Sequence, residues 1–173
     1  DGFFFKNKKV AVVGGGNTAL EEALYLSGVA QIVKLIHRRS SLRALDYLQK
    51  QLDSRKNIEV IYDSVVKSVE GAQAVESLSL ENTKTKKDFS LEVSGLFIAI
   101  GVTPNTSFLK DFIFLDEGGF ITTNEEMKTS LDAVWACGDC RKRPLRQLVT
   151  AASEGAIAAL EAYKHLRGHY VST

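Results

Sequence analysis

No apolar run in this sequence is long enough to cross a bilayer. The opening residues, Asp1-Gly2-Phe3-Phe4-Phe5-Lys6, lack the basic region and long apolar core of a secretory signal, and there is no initiating Met. Cysteine is scarce. Cys137 and Cys140 are the only two, too few for the framework of a disulfide-stapled secreted domain, and a reducing cytoplasm is the simplest setting. An excess of one charge is missing as well. The 22 Lys and Arg residues nearly balance 21 Asp and Glu, for a net charge of +1, so neither nucleic acid nor an acidic membrane surface is expected as a partner. Histidine is rare and never spaced as a cysteine's partner, so no metal site is expected. Internal repeats and low-complexity tracts are absent. The 173 residues, 45% hydrophobic and 25% charged, describe a globular chain with a real core, sufficient for one ordinary domain or two small ones.

Against that background one stretch is informative: Val10-Ala11-Val12-Val13-Gly14-Gly15-Gly16-Asn17-Thr18-Ala19. A short apolar run enters Gly-x-Gly-x-x-Ala, and an amphipathic segment follows. In a dinucleotide site each position has a physical task. Gly14 permits a tight turn out of a strand, and Gly16 lets a pyrophosphate approach the backbone. Ala19 lets the helix lie close on the strand. The helix start then offers unpaired N–H groups and a partial positive charge to phosphate.

The remaining pattern supports an α/β fold. Strands are predicted at Lys8–Val13, Ile32–Ile36 and Ile58–Tyr62, alternating with helices at Asn17–Ser27 and Ser41–Arg55, a β-α-β-α-β unit with a parallel sheet. The pattern then changes to a meander of antiparallel strands at Ser64–Val69, Ala74–Asn82 and Lys87–Val93, with apolar and polar residues alternating. Leu96–Ile100 is wholly apolar and fits a central parallel strand. Turn formers from Gly101 to Thr106 mark a domain boundary. Beyond it we expect a hairpin around Gly118-Gly119, a strand near Ala133–Ala136 and a long helix from about Gln147 to Leu166.

Two places carry further chemistry. The second strand ends in His37-Arg38-Arg39, with Arg43 following, at the point where such a fold meets the adenosine ribose. No carboxylate is present to favour a free 2′-hydroxyl, and guanidinium groups suit a 2′-phosphate. That favours NADPH over a merely solvated basic turn. Near the far end, Gly138-Asp139 can set a carboxylate against a sugar-like hydroxyl, and Arg146-Gln147-Leu148 opens a helix able to face a second pyrophosphate. The alternative is that Asp139 only caps a turn. Cys137-Gly138-Asp139-Cys140 is formally a Cys-x-x-Cys. Redox pairs of that kind usually open a helix. This one brackets a strand end, where Asp139 would raise the thiol pKa values, so a redox role is disfavoured.

In combination these motifs resemble the low-molecular-weight, bacterial-type thioredoxin reductases, which are flavoproteins with two dinucleotide-binding domains. The resemblance rests on Asp1-Gly2-Phe3-Phe4-Phe5, Gly14 to Ala19 with Glu21-Glu22-Ala23, His37-Arg38-Arg39 with Arg43, Gly101 with Pro104-Asn105-Thr106, Gly138-Asp139, and Arg146-Gln147 with Ala151-Ala152. It implies a Rossmann-like three-layer NADPH-binding domain with an antiparallel meander over residues 1–103. The C-terminal segment of an FAD-binding domain would follow over 104–173. NADPH would meet Gly14, Gly15, Gly16, Asn17, Thr18, Ala19, Glu21, His37, Arg38, Arg39, Arg43 and Gly101. FAD would meet Gly138, Asp139, Arg146, Gln147 and Leu148. Asp1 matches the acid that donates a proton to a thiolate leaving group. In the family the redox Cys-x-x-Cys immediately precedes the Asp-Gly-Phe-Phe segment, so this chain resembles a C-terminal portion without that pair and without the first half of the FAD domain. The intact enzyme implied is a cytoplasmic homodimer that moves electrons from NADPH via FAD to a disulfide and on to thioredoxin or a similar small disulfide protein. The chain alone is expected to be inactive. Three alternatives stay open. One is a thioredoxin-reductase-like ferredoxin/flavodoxin NADP reductase and another a hydroperoxide-reductase flavoprotein subunit. The last is a non-catalytic NADPH-binding module.

Overall fold

The computed structural model describes residues 1–170. It divides into two compact units, Asp1–Gly101 and Val102–Thr173.

The first unit is built on a four-stranded parallel sheet in the order β3-β2-β1-β7, with β1 at Lys9–Val13, β2 at Ile32–Ile36, β3 at Ile58–Ile61 and β7 at Leu96–Ile98. Side chains alternate across a strand, and in β1 that alternation assigns the two faces. Val10 and Val12 are fully buried among Leu20, Ala23 and Leu26 of α1 (Asn17–Ser27) and Leu48 and Leu52 of α2 (Asp46–Asp53). Ala11, with Ile36 of β2, faces Leu78 and Leu80 on the other side. Those two leucines belong to the central strand of an antiparallel sheet, β4 (Ser64–Glu70), β5 (Ser77–Asn82) and β6 (Asp88–Glu92), in that order. The result is three layers: helices, parallel sheet, meander. This is the α/β fold that the sequence pattern indicated, in the Rossmann-like three-layer form that the resemblance implied. At the start of the chain, Gly2–Phe5 forms a 3₁₀ turn unforeseen in the sequence. Gly2 lies against Leu26, where an added Cβ would crowd it, and Phe5 meets Phe97 edge-on at 5.3 Å between ring centres.

One expected element is shorter than its leucine spacing suggests. The helix expected from Ser41 begins at Asp46. Leu45 is extended, with ψ 143°, and 55% exposed, whereas Leu48 and Leu52 are buried. The segment before α2 is held by hydrogen bonds to the glycine turn. The Arg43 N–H donates to the Gly15 carbonyl at 2.7 Å and the Leu45 N–H to Asn17 Oδ1 at 3.0 Å. Tertiary hydrogen bonding overrides helix propensity here.

The second unit has a small core of Ile113, Ile121 and Ala136, with Leu109, Leu115 and Cys140 against it. The hairpin expected at Gly118-Gly119 is present. The Asp116 N–H donates to the Phe120 carbonyl at 2.8 Å, and Asp116 Oδ1 accepts from the Gly118 and Phe120 N–H groups. The strand expected over Ala133–Ala136 is not formed. Ala133 has φ 58°, incompatible with a strand, and a single bridge from Trp135 to Lys128 remains. α3 spans Leu148–Tyr170. Leu148 and Val149 at its start are 87% and 74% exposed. Among the described residues no helix is long and apolar enough to cross a membrane.

Gly14 is tightly confined. It has φ 154°, and a Cβ there would overlap the Ala99 carbonyl oxygen and lie 2.6 Å from the Ala19 methyl. Backbone strain and steric overlap both oppose a side chain, so Gly14→Ala is expected to destabilise the unit by about 3 kcal/mol or more. Chemical denaturation would measure this. A loss below about 1 kcal/mol would contradict the packing described.

Candidate functional site

A cavity of about 670 Å³ opens in the first unit at the C-terminal ends of β1, β2 and β7. Its floor is the turn Gly14-Gly15-Gly16, and Thr18 and Gly101 also line it. The three glycines differ in what confines them. Gly14 is closed in by Ala99 and Ala19, and its N–H donates to the Ile36 carbonyl at 3.0 Å. A Cβ on Gly15 would collide with the His37 imidazole. Gly16 has no atom within 4 Å of where its Cβ would stand. No packing within the chain therefore requires glycine at position 16. The open space lies directly at the start of α1, for which Gly16 is the N-cap residue and where the first N–H groups have no partner within the helix. That is the geometry an anionic ligand uses.

Basic side chains reach the same cavity. Arg38 and Arg43 line it, as does His37, whose ring lies against Gly15. His37 is buried, and its Nε2 is 3.0 Å from the Ser41 carbonyl. Burial pushes the imidazole pKa below its ordinary value; the Ser41 hydrogen bond opposes this, and Arg43, Arg39 and Arg38 add to it. His37 is therefore a neutral imidazole near pH 7 that donates through Nε2 to Ser41. Arg39 does not line the cavity, and its carbonyl accepts the Asp63 N–H at 3.2 Å. Asn17, Ala19 and Glu21 also stand outside the lining: Ala19 is fully buried under Gly14, Glu21 is exposed on α1, and Asn17 is bonded to Leu45.

β4, which sequence reasoning did not assign to a site, also lines the cavity. Val65, Val66 and Lys67 line it there, and the β4–β5 register shifts between Val66 and Ser68. Bulges of this kind re-aim side chains at a site. No spacing signal marks these residues. They reach the cavity only because the meander folds over the parallel sheet.

The residues assigned to a second nucleotide lie in the other unit. Gly138 is buried, with φ 78°, and its Cα approaches α3 closely enough for an added Cβ to stand 3.5 Å from the Ala151 methyl. Asp139 is exposed. Arg146 donates from Nε to the Asp139 carbonyl at 3.4 Å, and its guanidinium lies 4.0 Å from the centre of the Phe120 ring. Gln147 donates its N–H to Thr150 Oγ1 at 3.2 Å at the start of α3, and Leu148 follows, exposed. Sequence reasoning missed the anchor of this turn. Glu154 accepts the Gly138 N–H at 2.8 Å and is paired with Arg141 at 2.7 Å and Arg143 at 3.2 Å, all three side chains being largely buried.

The two cysteines bracket a 3₁₀ turn, Gly138–Cys140, and not a strand end. Both are free thiols, Cys137 exposed and Cys140 half-buried. Cys140 donates from Sγ to the Cys137 carbonyl at 3.3 Å. The Cys140 thiol is pushed up chiefly by burial, with Cys137 and Glu154 adding. Burial, and not the expected Asp139, is the leading cause. Among the described residues no group of three or more His, Cys, Asp or Glu is arranged to hold a metal ion.

Fold and cavity together define a dinucleotide-binding α/β protein: a glycine turn at the head of β1, a helix N-terminus above it and arginines at the end of β2. A family model described as pyridine nucleotide-disulphide oxidoreductase matches residues 2–155, and the chain belongs to that family. A thioredoxin reductase of Borreliella burgdorferi is 47% identical over 161 residues, covering 93% of this chain and 49% of that protein. One from Rickettsia conorii is 45% identical over 170 residues, covering 96% of this chain and 55% of that protein. The crystal structure of thioredoxin reductase from Streptococcus pyogenes matches with a TM-score of 0.79 at 40% identity, over 97% of this chain and 55% of that one. The chain thus spans about half the length of the curated relatives it matches.

The state of His37 gives a pH prediction. A buried neutral imidazole with a lowered pKa contributes stability that is present above its ordinary value of 6.5 and is lost as the pH falls, because the unfolded chain binds the proton more readily. In an NMR titration His37 is expected to titrate below 6.5. A midpoint at or above that value would contradict the buried, arginine-flanked environment.

Proposed function

We propose that the unit Asp1–Gly101 is an NADPH-binding domain and that Val102–Thr173 is the closing segment of an FAD-binding domain, a division two residues earlier than the boundary expected at 103/104. The whole protein is then an NADPH-dependent flavoprotein disulfide reductase acting on thioredoxin or a similar small disulfide protein, as a cytoplasmic homodimer. One observation carries the reading: the open glycine turn and two arginines, Arg38 and Arg43, border the same cavity.

The residues present fit NADPH. The unfilled space at Gly16 admits a pyrophosphate to the N-terminus of α1, and Arg38 and Arg43 supply fork-shaped donors for a 2′-phosphate. Neutral His37 holds the loop that carries them without adding charge. In the second unit the Gly138-Asp139 turn, stapled to α3 by Glu154, presents the exposed Asp139 carboxylate to a ribitol-like hydroxyl of FAD. Arg146, Gln147 and Leu148 flank that turn at the α3 start. When bound, these cofactors supply the hydride and the two-electron relay that side chains cannot. Asp1, exposed beside the 3₁₀ turn, is assigned as the acid that returns a proton to a thiolate. The exposed Leu148 and Val149 support a reading in which this unit is completed by the other half of a flavin domain, and the chain alone is inactive.

The test is calorimetric titration of the full chain with NADP⁺ and NAD⁺. Charge-assisted hydrogen bonds to the extra phosphate are expected to favour NADP⁺ by about tenfold or more, and Arg38→Ala with Arg43→Ala to remove most of that preference. Equal affinity of the unaltered chain for both nucleotides would defeat the assignment.

A further inference from the structure

The segment carrying the arginines, from Arg38 to Leu45, has neither helix nor strand structure. A segment of that kind explores many conformations unless it is tied down. Three hydrogen bonds hold it, one from the adjoining His37, one to the glycine turn and one to the start of α1. The buried His37 donates from Nε2 to the Ser41 carbonyl at 3.0 Å. The Arg43 N–H donates to the Gly15 carbonyl at 2.7 Å. The Leu45 N–H donates to Asn17 Oδ1 at 3.0 Å, a contact between residues 28 apart in sequence. The last is the only one of the three made by a side chain of α1. Asn17 opens that helix yet is not part of the cavity lining. Its carboxamide oxygen is committed to the loop.

We propose that Asn17 is a positioning residue for the 2′-phosphate. It fixes the C-terminal end of the arginine loop, and through it the guanidinium of Arg43, and does not itself touch the nucleotide. The proposal rests on the NADPH reading above and deepens it. The two halves of the ligand depend on different parts of the chain. The pyrophosphate is met by the glycine turn, whose position is fixed by Ile36 behind Gly14 and by the close approach of Ala99 and Ala19. Truncating Asn17 leaves those contacts intact. The 2′-phosphate is met by arginines whose fork geometry is useful only when the backbone beneath them is held. Loosening the loop therefore lowers selectivity more than general affinity. Asn17 is exposed, so its side chain is removable without opening the core, unlike the buried His37.

The experiment titrates the full chain, Asn17→Ala, Arg43→Ala and the double variant with NADP⁺ and with NAD⁺. Asn17→Ala is expected to weaken NADP⁺ binding about tenfold and NAD⁺ binding less than about twofold. Because both substitutions act on one contact, adding Asn17→Ala to Arg43→Ala is expected to change NADP⁺ affinity by less than about twofold. Equal losses for both nucleotides would mean that Asn17 serves their shared part, and would overturn the proposal. Unchanged NADP⁺ affinity, or losses that multiply in the double variant, would overturn it as well. The unaltered chain separates the two levels: no preference for NADP⁺ there sinks the NADPH reading itself, whereas a preference that survives Asn17→Ala sinks only the role given to Asn17.

Discussion

Where β1 leaves the sheet, the backbone of Gly14 runs so close to the Ala99 carbonyl and the Ala19 methyl that no side chain fits. That approach sets the geometry of the whole first unit. It brings α1 down onto Val10 and Val12, which buries Leu20, Ala23 and Leu26 and closes one face of the parallel sheet. It also aims the start of α1 at the space above Gly16, where backbone N–H groups are left without helical partners. The arginine segment is then tied to this turn by the Gly15 carbonyl and the Asn17 carboxamide. Core packing and ligand geometry are thus consequences of one steric constraint, and a side chain at position 14 would disturb both.

Electrostatics in the two units follow different rules. In the first, Arg38 and Arg43 line the cavity together with Lys67, which is paired with Glu81, and the buried imidazole among the arginines stays neutral. In the second, the largely buried Glu154 carboxylate pairs with both Arg141 and Arg143 and still accepts from the Gly138 N–H. Partners of this kind are costly to separate when buried, and they hold the Gly138–Cys140 turn against α3. The first arrangement suits a site for an anion. The second suits a scaffold that presents the exposed Asp139.

What could be read from the sequence was whatever is encoded locally. The runs Val10–Val13 and Ile32–Ile36 announced parallel strands, and the alternation Ser77-Leu78-Ser79-Leu80 announced a half-covered antiparallel one. The glycine turn and the helix from Asn17 to Ser27 carry their own signals. Elements decided by distant contacts were misread. The leucine spacing before α2 suggested a longer helix, but hydrogen bonds to Gly15 and Asn17 take Arg43 and Leu45 out of it. Ala133 broke an apolar run that looked like a strand. The β4 wall of the cavity and the Glu154 anchor were invisible for the same reason. Each lies in a segment whose local pattern is ordinary, and each gains its role only when the meander or α3 folds back on residues elsewhere in the chain.

We propose that the Gly14–Gly16 turn and the Arg38–Arg43 loop form one site for a 2′-phosphorylated dinucleotide. A crystal structure of the chain grown with NADP⁺ tests it most directly. The pyrophosphate is expected against the backbone of Gly16 at the start of α1, with the 2′-phosphate within hydrogen-bonding distance of the Arg38 and Arg43 guanidinium groups. A nucleotide whose 2′-phosphate points into solvent, or one bound away from the glycine turn, would contradict it.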